Sequence, residues 1–210
     1  IRCVGKFVYD KGLTNKTTVK IETLAGIKTL ILNIKEGKVE TARVDMGEPI
    51  LEAEKIPVIS KEQPVKNLVL EAEEKKFKFT CVSMGNPHAI TIVDDTKKFD
   101  VEKYGRILEV DKAFPKKANI EFVQIADKEN IKMRVWERGA GETLACGTGA
   151  CATAVSCNLN GLTERKVNIE LLGGILNIEW NKEDNHVYMT GPAVTVFDGE
   201  LYEEAIRWVI

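Results

Sequence analysis

Hydrophobic and polar positions alternate along several short stretches of the chain, a pattern that predicts half-buried β-strands. Two series of such stretches resemble each other. One begins with predicted strands over residues 19–23 and 29–34, and the other with predicted strands over residues 167–171 and 175–180. In both series a polar turn leads on to a third strand. An apolar helix of small residues precedes each series and ends at a glycine, the residue that commonly follows a helix C-terminus.

The segment between the two series is also rich in predicted strands. Four stretches there alternate or run apolar: residues 77–83, 88–93, 120–126 and 131–137. A short helix is predicted over residues 101–108, because Asp100 is of a residue type that caps helix N-termini. Residues 193–201 are predicted to form a last strand. Antiparallel strands around few helices indicate the α+β class rather than alternating β-α-β units.

The two series form an internal repeat. Three short matches keep their order in both copies: Gly-Leu-Thr at residues 12–14 and 161–163, Val-x-Ile-Glu-x-Leu at 19–24 and 167–172, and Val-x-Met-x-x-Pro at 44–49 and 187–192. One match of this length arises by chance, but three in order indicate duplicated domains. On this alignment Cys151 corresponds to Cys3, and the counterpart of Cys146 falls before Ile1. We therefore expect a further stretch of chain upstream of Ile1.

Composition and charge are those of an ordinary globular protein. The 210 residues are 44% hydrophobic and 30% charged, with a formal net charge of −2. The charges are mixed in sign, which argues against a nucleic-acid partner. No apolar run approaches the roughly 18 residues that a membrane-spanning helix needs, so no membrane partner is expected. The five cysteines form no dense framework, and we therefore expect reduced thiols and a cytoplasmic location.

Cys146 lies in a glycine-rich segment where a predicted strand turns into a helix. Four glycines fall between Gly139 and Gly149, and glycine allows backbone to approach a ligand closely. The first turn of a helix has unpaired N–H groups and a partial positive charge. The amides of Gly147, Thr148 and Gly149 are therefore expected to bind a carboxylate. The same field is expected to lower the pKa of Cys146 and make it a thiolate base beside the carboxylate-bearing carbon.

Three other interpretations of this segment fit less well. A phosphate-binding loop needs lysine after its second glycine, where this chain has Thr148. A metal site is disfavoured because Cys146, Cys151 and Cys157 have neither the CxxC nor the i, i+4 spacing, and the chain has only two histidines. A buried structural role suits Cys151 and Cys157, and also Cys81, but it suits a glycine-flanked Cys146 poorly.

Three segments, in the same order, resemble motifs of the diaminopimelate epimerase family. They are Met-Gly-Asn-Pro-His at residues 84–88, Phe-Pro-Lys-Lys-Ala-Asn-Ile-Glu-Phe-Val at 114–123, and Glu-Arg-Gly-Ala-Gly-Glu-Thr-Leu-Ala-Cys-Gly-Thr-Gly-Ala-Cys-Ala at 137–152. The similarity runs through the whole chain. Proline racemase-like and phenazine-biosynthesis-type isomerases share the fold, but the Glu-Arg pair and the two Asn motifs favour the epimerases. The family's first active-site motif is matched only by Ile1-Arg2-Cys3, so its first catalytic thiol is expected to be missing.

The resemblance implies an isomerase that epimerises LL-diaminopimelate to meso-diaminopimelate in lysine and peptidoglycan-precursor biosynthesis. Two cysteines would act as acid and base, with no pyridoxal phosphate, metal or other cofactor, and this chain alone is expected to be inactive. Cys146 matches the second thiol, and His88 and Glu137 match positions that tune the pair. Substrate-binding positions are matched by Asn86, Asn119, Glu137, Arg138, Gly147 and Thr148.

The chemistry of these residue types agrees with the implied roles. Arg138 offers a bidentate fork to a distal carboxylate, Glu137 can meet an ammonium group, and amides both donate and accept hydrogen bonds. From strand context alone, a core histidine is the favoured interpretation of His88, and only the motif reverses it. Asn119 could be a turn residue and Arg138 a surface cation. A binding module for a dicarboxylic amino acid is the competing hypothesis, because binding alone would need no thiol at position 146.

The fold that the resemblance implies is α+β, with two pseudo-symmetric domains that are each a β-roll around a central helix. Residues 44–192 would form the C-terminal domain. Residues 1–43 and 193–210 would form the remainder of an incomplete N-terminal domain. A homodimer is expected, because homodimers are common in this family.

Overall fold

The computed structural model describes residues 1–23, 26–200 and 202 of the chain. The strands of this part form one extended sheet, and side-chain burial alternates along most of them. The helices of this part are α1 (Arg2–Asp10), α2 (Val101–Leu108) and α3 (Gly147–Leu159). Its strands are β1 (Thr18–Thr23), β2 (Gly26–Lys35), β3 (Lys38–Asp45), β4 (Leu68–Ala72), β5 (Lys75–Ser83), β6 (Pro87–Ile92), β7 (Asn119–Ile125), β8 (Asn130–Glu137), β9 (Gly141–Thr143), β10 (Lys166–Leu171), β11 (Gly174–Trp180) and β12 (Val187–Pro192).

The strands lie in the order β1-β2-β3-β12-β11-β10-β8-β7-β6-β5-β4, with β9 paired to β8 off this path. Neighbours are antiparallel except at β10–β8 and β6–β7, which are parallel. Strands β3 and β12 pair directly and join the two repeats, with Met189 opposite Val44. A large, mainly antiparallel sheet with few helices confirms the predicted α+β class.

The structure confirms the internal repeat as two copies of one helix followed by three strands. Helix α1 precedes β1, β2 and β3, and α3 precedes β10, β11 and β12. The turn after each helix contains a glycine with positive φ, +72° at Gly12 and +69° at Gly161. Their N–H groups donate back into the helices at 2.9 Å, to the carbonyls of Tyr9 and Asn158. Both helices therefore end in the same left-handed backbone conformation, which is strained for a residue that has a Cβ atom.

The segment between the repeats and the stretch after the second repeat follow the prediction except at three places. Helix α2 begins as expected, with the Asp100 side chain accepting the Lys103 amide at 3.1 Å. Strands β4 and β9 were not predicted. The strand predicted over residues 193–201 is wrong for residues 193–200, which form no ladder with described residues. Val196 and Phe197 are more than four-fifths exposed there. Alternating apolar positions indicate that a segment can form a strand, but they do not show that a neighbouring strand is there to pair with it. Leu201 lies outside the described residues.

The predicted division into residues 44–192 and a second part made of residues 1–43 and 193–210 stays a prediction. Strands β3 and β12 pair across the proposed boundary in one continuous sheet. Residues 201 and 203–210 of the second part lie outside the described residues.

Helix α3 forms the centre of the larger hydrophobic core. Every residue from Gly149 to Cys157 is buried, as expected for a helix that is apolar or small on all sides. It packs against β5, β6 and β7 and also against β10, β11 and β12. A smaller core, containing Phe77, Phe79 and Phe122, packs with α2. Among the described residues, the structure contains no helix that is long and apolar enough to cross a membrane.

Candidate active site

The N-terminus of α3 is where the predicted reactive cysteine lies. Cys146 is the N-cap residue, in an extended conformation with φ −128° and ψ 109°, and its carbonyl accepts the Ala150 amide at 2.9 Å. The turn between β8 and β9 brings the chain there through Gly139 and Gly141, both with positive φ. The first amides of the helix, at Gly147 and Thr148, have no carbonyl partner within the helix. They form the expected site for an anionic group.

Two glycines in the first turn of α3 lie in close packing contact with neighbouring side chains. A Cβ atom added at Gly147 would lie 3.0 Å from the Met189 sulfur. One added at Gly149 would lie 2.7 Å from Glu121 Oε1 and 3.3 Å from Cys146 Sγ. The glycines therefore let α3 begin directly against β12 and β7, in addition to exposing their amides.

The thiol of Cys146 is buried, with 5% of the residue exposed. The expectation that a glycine-flanked cysteine would stay out of the core is therefore wrong. Burial and the Glu121 carboxyl raise the pKa of Cys146 to about 12, although the Thr148 hydroxyl and the Gly149 amide lower it. The predicted lowering of the pKa is thus also wrong, because desolvation outweighs the helix field. Cys146 is a protonated thiol at neutral pH.

A buried polar chain lies behind the thiol. His88 on β6 and Glu121 on β7 are both fully buried, and His88 Nδ1 is 2.6 Å from Glu121 Oε1. His88 Nε2 is 3.0 Å from Asn86 Oδ1. An amide oxygen only accepts, so Nε2 carries a hydrogen and a second proton is shared between Nδ1 and Oε1. Burial raises the pKa of Glu121, and the proton of His88 opposes that effect.

Asn119 and Arg138 are linked through main-chain contacts. Asn119 Oδ1 accepts the Arg138 amide at 2.9 Å, and its Nδ2 donates to the Pro87 carbonyl at 2.9 Å. The exposed guanidinium of Arg138 donates from Nη1 to the Lys116 carbonyl at 2.9 Å. No carboxylate among the described residues pairs with it. Asn119 therefore fixes the start of the turn that carries Arg138, while most donors of Arg138 remain available.

Glu137 and Glu109 hold the same turn from two sides. Glu137, at the end of β8, accepts a short hydrogen bond from the Thr143 hydroxyl, and its charge also raises the pKa of Cys146. Glu109, just after α2, accepts the Gly139 amide at 3.0 Å through Oε1 and the Trp136 indole N–H at 2.8 Å through Oε2.

The structure brings the predicted residues into one region, with two residues that the sequence analysis missed. Cys146, Glu137 and His88 surround Glu121, which had been given no role. A charged residue at the third position of a strand whose first five residues are all buried was the available signal. Thr143 was also missed, because β9 itself was not predicted.

The other cysteines have structural or peripheral positions. Cys81, Cys151 and Cys157 are completely buried, which confirms the structural interpretation of these three thiols. Cys3 is exposed on α1. The N-terminal end of α1 nevertheless approaches the site, because Arg2 Nη1 lies 3.6 Å from the Met189 sulfur that packs on Gly147.

Comparison with known proteins identifies the sequences to which this chain is similar. The sequence family described as diaminopimelate epimerase matches residues 80–196. A diaminopimelate epimerase of Methanococcus maripaludis strain C5 is 59% identical over 201 residues, which are 96% of this chain and 73% of that protein. One from Acetivibrio thermocellus is 57% identical over 96% of this chain and 72% of that protein.

Solved structures with low sequence identity share the fold. A hydroxyproline epimerase from Agrobacterium vitis superposes with a TM-score of 0.69 at 14% identity, over 92% of this chain and 62% of that one. A phenazine biosynthesis protein of the PhzF family from Bacillus anthracis gives 0.63 at 16% identity, over 94% and 73%. At this identity the likeness concerns the fold alone.

Proposed function

Because the chain belongs to the diaminopimelate epimerase family, we propose that it interconverts LL-diaminopimelate and meso-diaminopimelate by replacing the proton at one α-carbon. The family places the chain among isomerases and in lysine biosynthesis, which shares this intermediate with peptidoglycan-precursor synthesis. The observation that carries the proposal is the Cys146 thiol at the N-terminus of α3, beside unpaired amides and a buried carboxyl group.

The α-carboxylate of the substrate would bind the Gly147 and Thr148 amides. Both lie in the first turn of α3, where the helix dipole favours negative charge. Removal of the α-proton moves negative charge onto this carboxylate, so donors already fixed in place stabilise the transition state more than the ground state. The α-carbon bound there lies next to Cys146 Sγ.

Cys146 would act as the proton donor in one direction of the reaction. A base on the opposite face takes the α-proton, and the Cys146 thiol delivers a different proton to the carbon and becomes a thiolate. In the reverse direction the thiolate removes that proton again. A thiol that is protonated at neutral pH suits the donor role. The family resemblance makes a second cysteine the opposing base, and the approach of α1 to Gly147 is compatible with a group on that side.

The distal end of diaminopimelate would bind the turn after β8. Arg138 has free donors for the distal carboxylate, and Glu137 can accept from an ammonium group. Asn86 and Asn119 would complete the site, although both side chains already bind protein groups. His88 and Glu137 would tune the thiol rather than touch the reacting carbon.

We propose a cytoplasmic homodimer that works without pyridoxal phosphate or metal. The free thiols of all five cysteines support a reducing compartment. The dimer rests on the family resemblance alone, and an oligomer measurement by light scattering tests it.

Exchange of the α-proton tests the reaction directly. In this and the later epimerase assays, the protein is produced together with the upstream stretch that the repeat predicts. LL-diaminopimelate is incubated with it in deuterated water, and deuterium incorporation and appearance of the meso isomer are followed by NMR. Cys146→Ser is expected to abolish isomer formation, because serine is a far weaker acid. Cys157→Ser, a buried cysteine of the same helix, is the matched control and should retain activity. Failure of the protein with that upstream stretch, carrying neither cysteine substitution, to form the meso isomer overturns the proposal.

A further inference from the structure

Glu121 is a completely buried carboxyl group that the reaction described above does not use. It lies on β7 in a segment of apolar side chains, and its Oε2 atom has no hydrogen-bond partner. An ionisable group in such a place is costly unless its surroundings compensate it. Its compensation comes from His88, through the 2.6 Å contact at Oε1.

The same Oε1 atom lies against the start of α3. The position that a Gly149 Cβ would occupy is 2.7 Å from Glu121 Oε1 and 3.3 Å from Cys146 Sγ. Glycine at position 149 therefore leaves out a Cβ atom that would lie between this carboxyl oxygen and the thiol. The carboxyl oxygen and the sulfur therefore border the same point at the start of α3, and the imidazole contacts that oxygen from β6.

The charged groups around the thiol come from four elements. Glu121 on β7 and Glu137 at the end of β8 are acidic, His88 on β6 lies behind Glu121, and Arg2 on α1 lies behind β12. If His88 and Glu121 share their proton as an ion pair, the oxygen end of that pair faces Cys146. If the proton stays on Glu121, the thiol faces a neutral acid in a dry site. Both forms disfavour a thiolate at Cys146.

We propose that Glu121 is a positioning residue that keeps Cys146 protonated, so that Cys146 meets the substrate as a proton donor. The inference deepens the proposed function and rests on it, because it assigns a state to the thiol used in that reaction. His88 holds Glu121 in place, and Asn86 fixes the imidazole through its Nε2–H bond. Release of the donated proton leaves a thiolate beside Glu121, which favours rapid recovery of a proton.

The thiolate titration of Cys146 tests this inference. Absorbance at 240 nm is followed from pH 7 to 12, and the same titration of a Cys146→Ser protein is subtracted in each background. Glu121→Gln removes the charge and is expected to lower the midpoint by at least one pH unit, which is a tenfold rise in thiolate at any pH below it. Glu109→Gln changes another buried glutamate that does not approach Cys146 and should leave the midpoint in place. An unchanged midpoint in a folded Glu121→Gln protein overturns the inference.

A second measurement needs no change at Glu121. The chain has only two histidines, so the ring nitrogens of His88 can be followed by NMR after His186→Gln. Coupling is reciprocal, and ionisation of Cys146 is therefore expected to produce an inflection in the His88 signals that is absent in Cys146→Ser. Absence of this inflection in both proteins contradicts the inference, even where Glu121→Gln does not fold.

The pH profile of epimerisation separates the two proposals. In Glu121→Gln the alkaline limb of LL-to-meso turnover should move to lower pH by the same shift as the thiolate titration, with KM unchanged. A shifted titration together with no epimerase activity, measured in the protein that includes the upstream stretch, contradicts the proposed function alone. An unshifted thiolate titration of Cys146 in an active Glu121→Gln enzyme contradicts the role of Glu121 alone.

Discussion

Asn119 Oδ1 accepts a hydrogen bond from the backbone amide of Arg138 at 2.9 Å. The same side chain donates to the Pro87 carbonyl, so one amide joins the beginnings of β6 and β7 to the turn after β8. Two segments of the predicted site are thus held in register by a residue that the family resemblance assigns to substrate binding. Its protein contacts and its substrate contact can be separated by mutation.

Asn119→Asp retains the oxygen that accepts the Arg138 amide. It replaces the NH₂ group that donates to the Pro87 carbonyl with a carboxylate oxygen, which cannot donate. Asn119→Ala loses both bonds. We expect Asn119→Ala to lower the free energy of unfolding by about 1–3 kcal/mol and to raise KM about tenfold, because buried hydrogen-bonding groups lose their partner. Asn158→Ala, which removes one side-chain bond to the Thr163 carbonyl, is the control. It should cost stability in urea unfolding without changing KM. An unchanged KM in Asn119→Ala contradicts the positioning of Arg138.

The turn into α3 is predicted to tolerate a methyl group at one glycine better than at the other. Gly149→Ala places the methyl 2.7 Å from Glu121 Oε1 and 3.3 Å from Cys146 Sγ, in a site with little room to adjust. Gly147→Ala meets the Met189 side chain, whose sulfur lies 3.0 Å away and whose end can rotate. We expect Gly149→Ala to cost about 1–3 kcal/mol more than Gly147→Ala in urea unfolding. An equal loss in the free energy of unfolding for the two variants would show that the Glu121 carboxyl moves aside as easily as the Met189 side chain.

The order of elements could be predicted because it depends on local pattern. The helix stops at Gly12 and Gly161 and the alternating strands after them are signals carried by adjacent residues. Because the two copies of the repeat are similar, the elements predicted for one copy supported those predicted for the other. Strand β4 ends in a cluster of mixed charges, residues 71–78, and that cluster hid the alternation of the strand. Residues 193–200 show the converse, since their apolar alternation has no partner strand among the described residues.

The state of Cys146 could not be predicted, because it depends on residues distant in sequence. The helix start is visible in the glycines around it, and that feature alone favours a thiolate. Burial in the core and the Glu121 carboxyl raise this pKa, and only the fold brings β7 and β12 against the start of α3. The motif therefore located the reactive residue, but the sign of its pKa shift depended on tertiary packing.

Buried thiols are expected to make the protein less stable at alkaline pH. Burial raises the pKa of Cys157 from an ordinary value near 9.0 to about 12, so its contribution is complete below pH 9 and is lost as pH rises towards 12. Each such thiol removes about 1.4 kcal/mol per pH unit in this range. Urea unfolding at pH 8, 9, 10 and 11 should show the fall.

Cys157→Ala isolates one thiol in this pH series. The variant should be less stable at pH 8 because it loses packing, but its free energy of unfolding should fall less steeply with pH than that of the unmodified protein. Cys3→Ala, at an exposed site, should keep the original slope. Parallel slopes for all three proteins are the outcome that excludes buried thiols as the cause.

Glu109 is predicted to control the turn that carries Arg138 without affecting the thiol. Burial alone would raise the pKa of Glu109, but hydrogen bonds from Trp136, the Gly139 amide and Lys117 together lower it. A depressed pKa means that the carboxylate stabilises the fold above its ordinary titration range and that this contribution is lost as pH falls. In Glu109→Gln, the free energy of unfolding should therefore fall less steeply as pH decreases.

The same variant should weaken substrate binding more than turnover. Glutamine presents an NH₂ group to one of the donors, so the turn at Gly139 loosens and we expect KM for diaminopimelate to rise about tenfold, which corresponds to about 1.4 kcal/mol. The proton transfer itself should change little, because Glu109 approaches neither Cys146 nor His88. Steady-state assays of both directions at pH 8, with Glu129→Gln as an exposed control, measure this. A loss of kcat with KM unchanged would mean that Glu109 acts on the chemical step rather than on the position of Arg138.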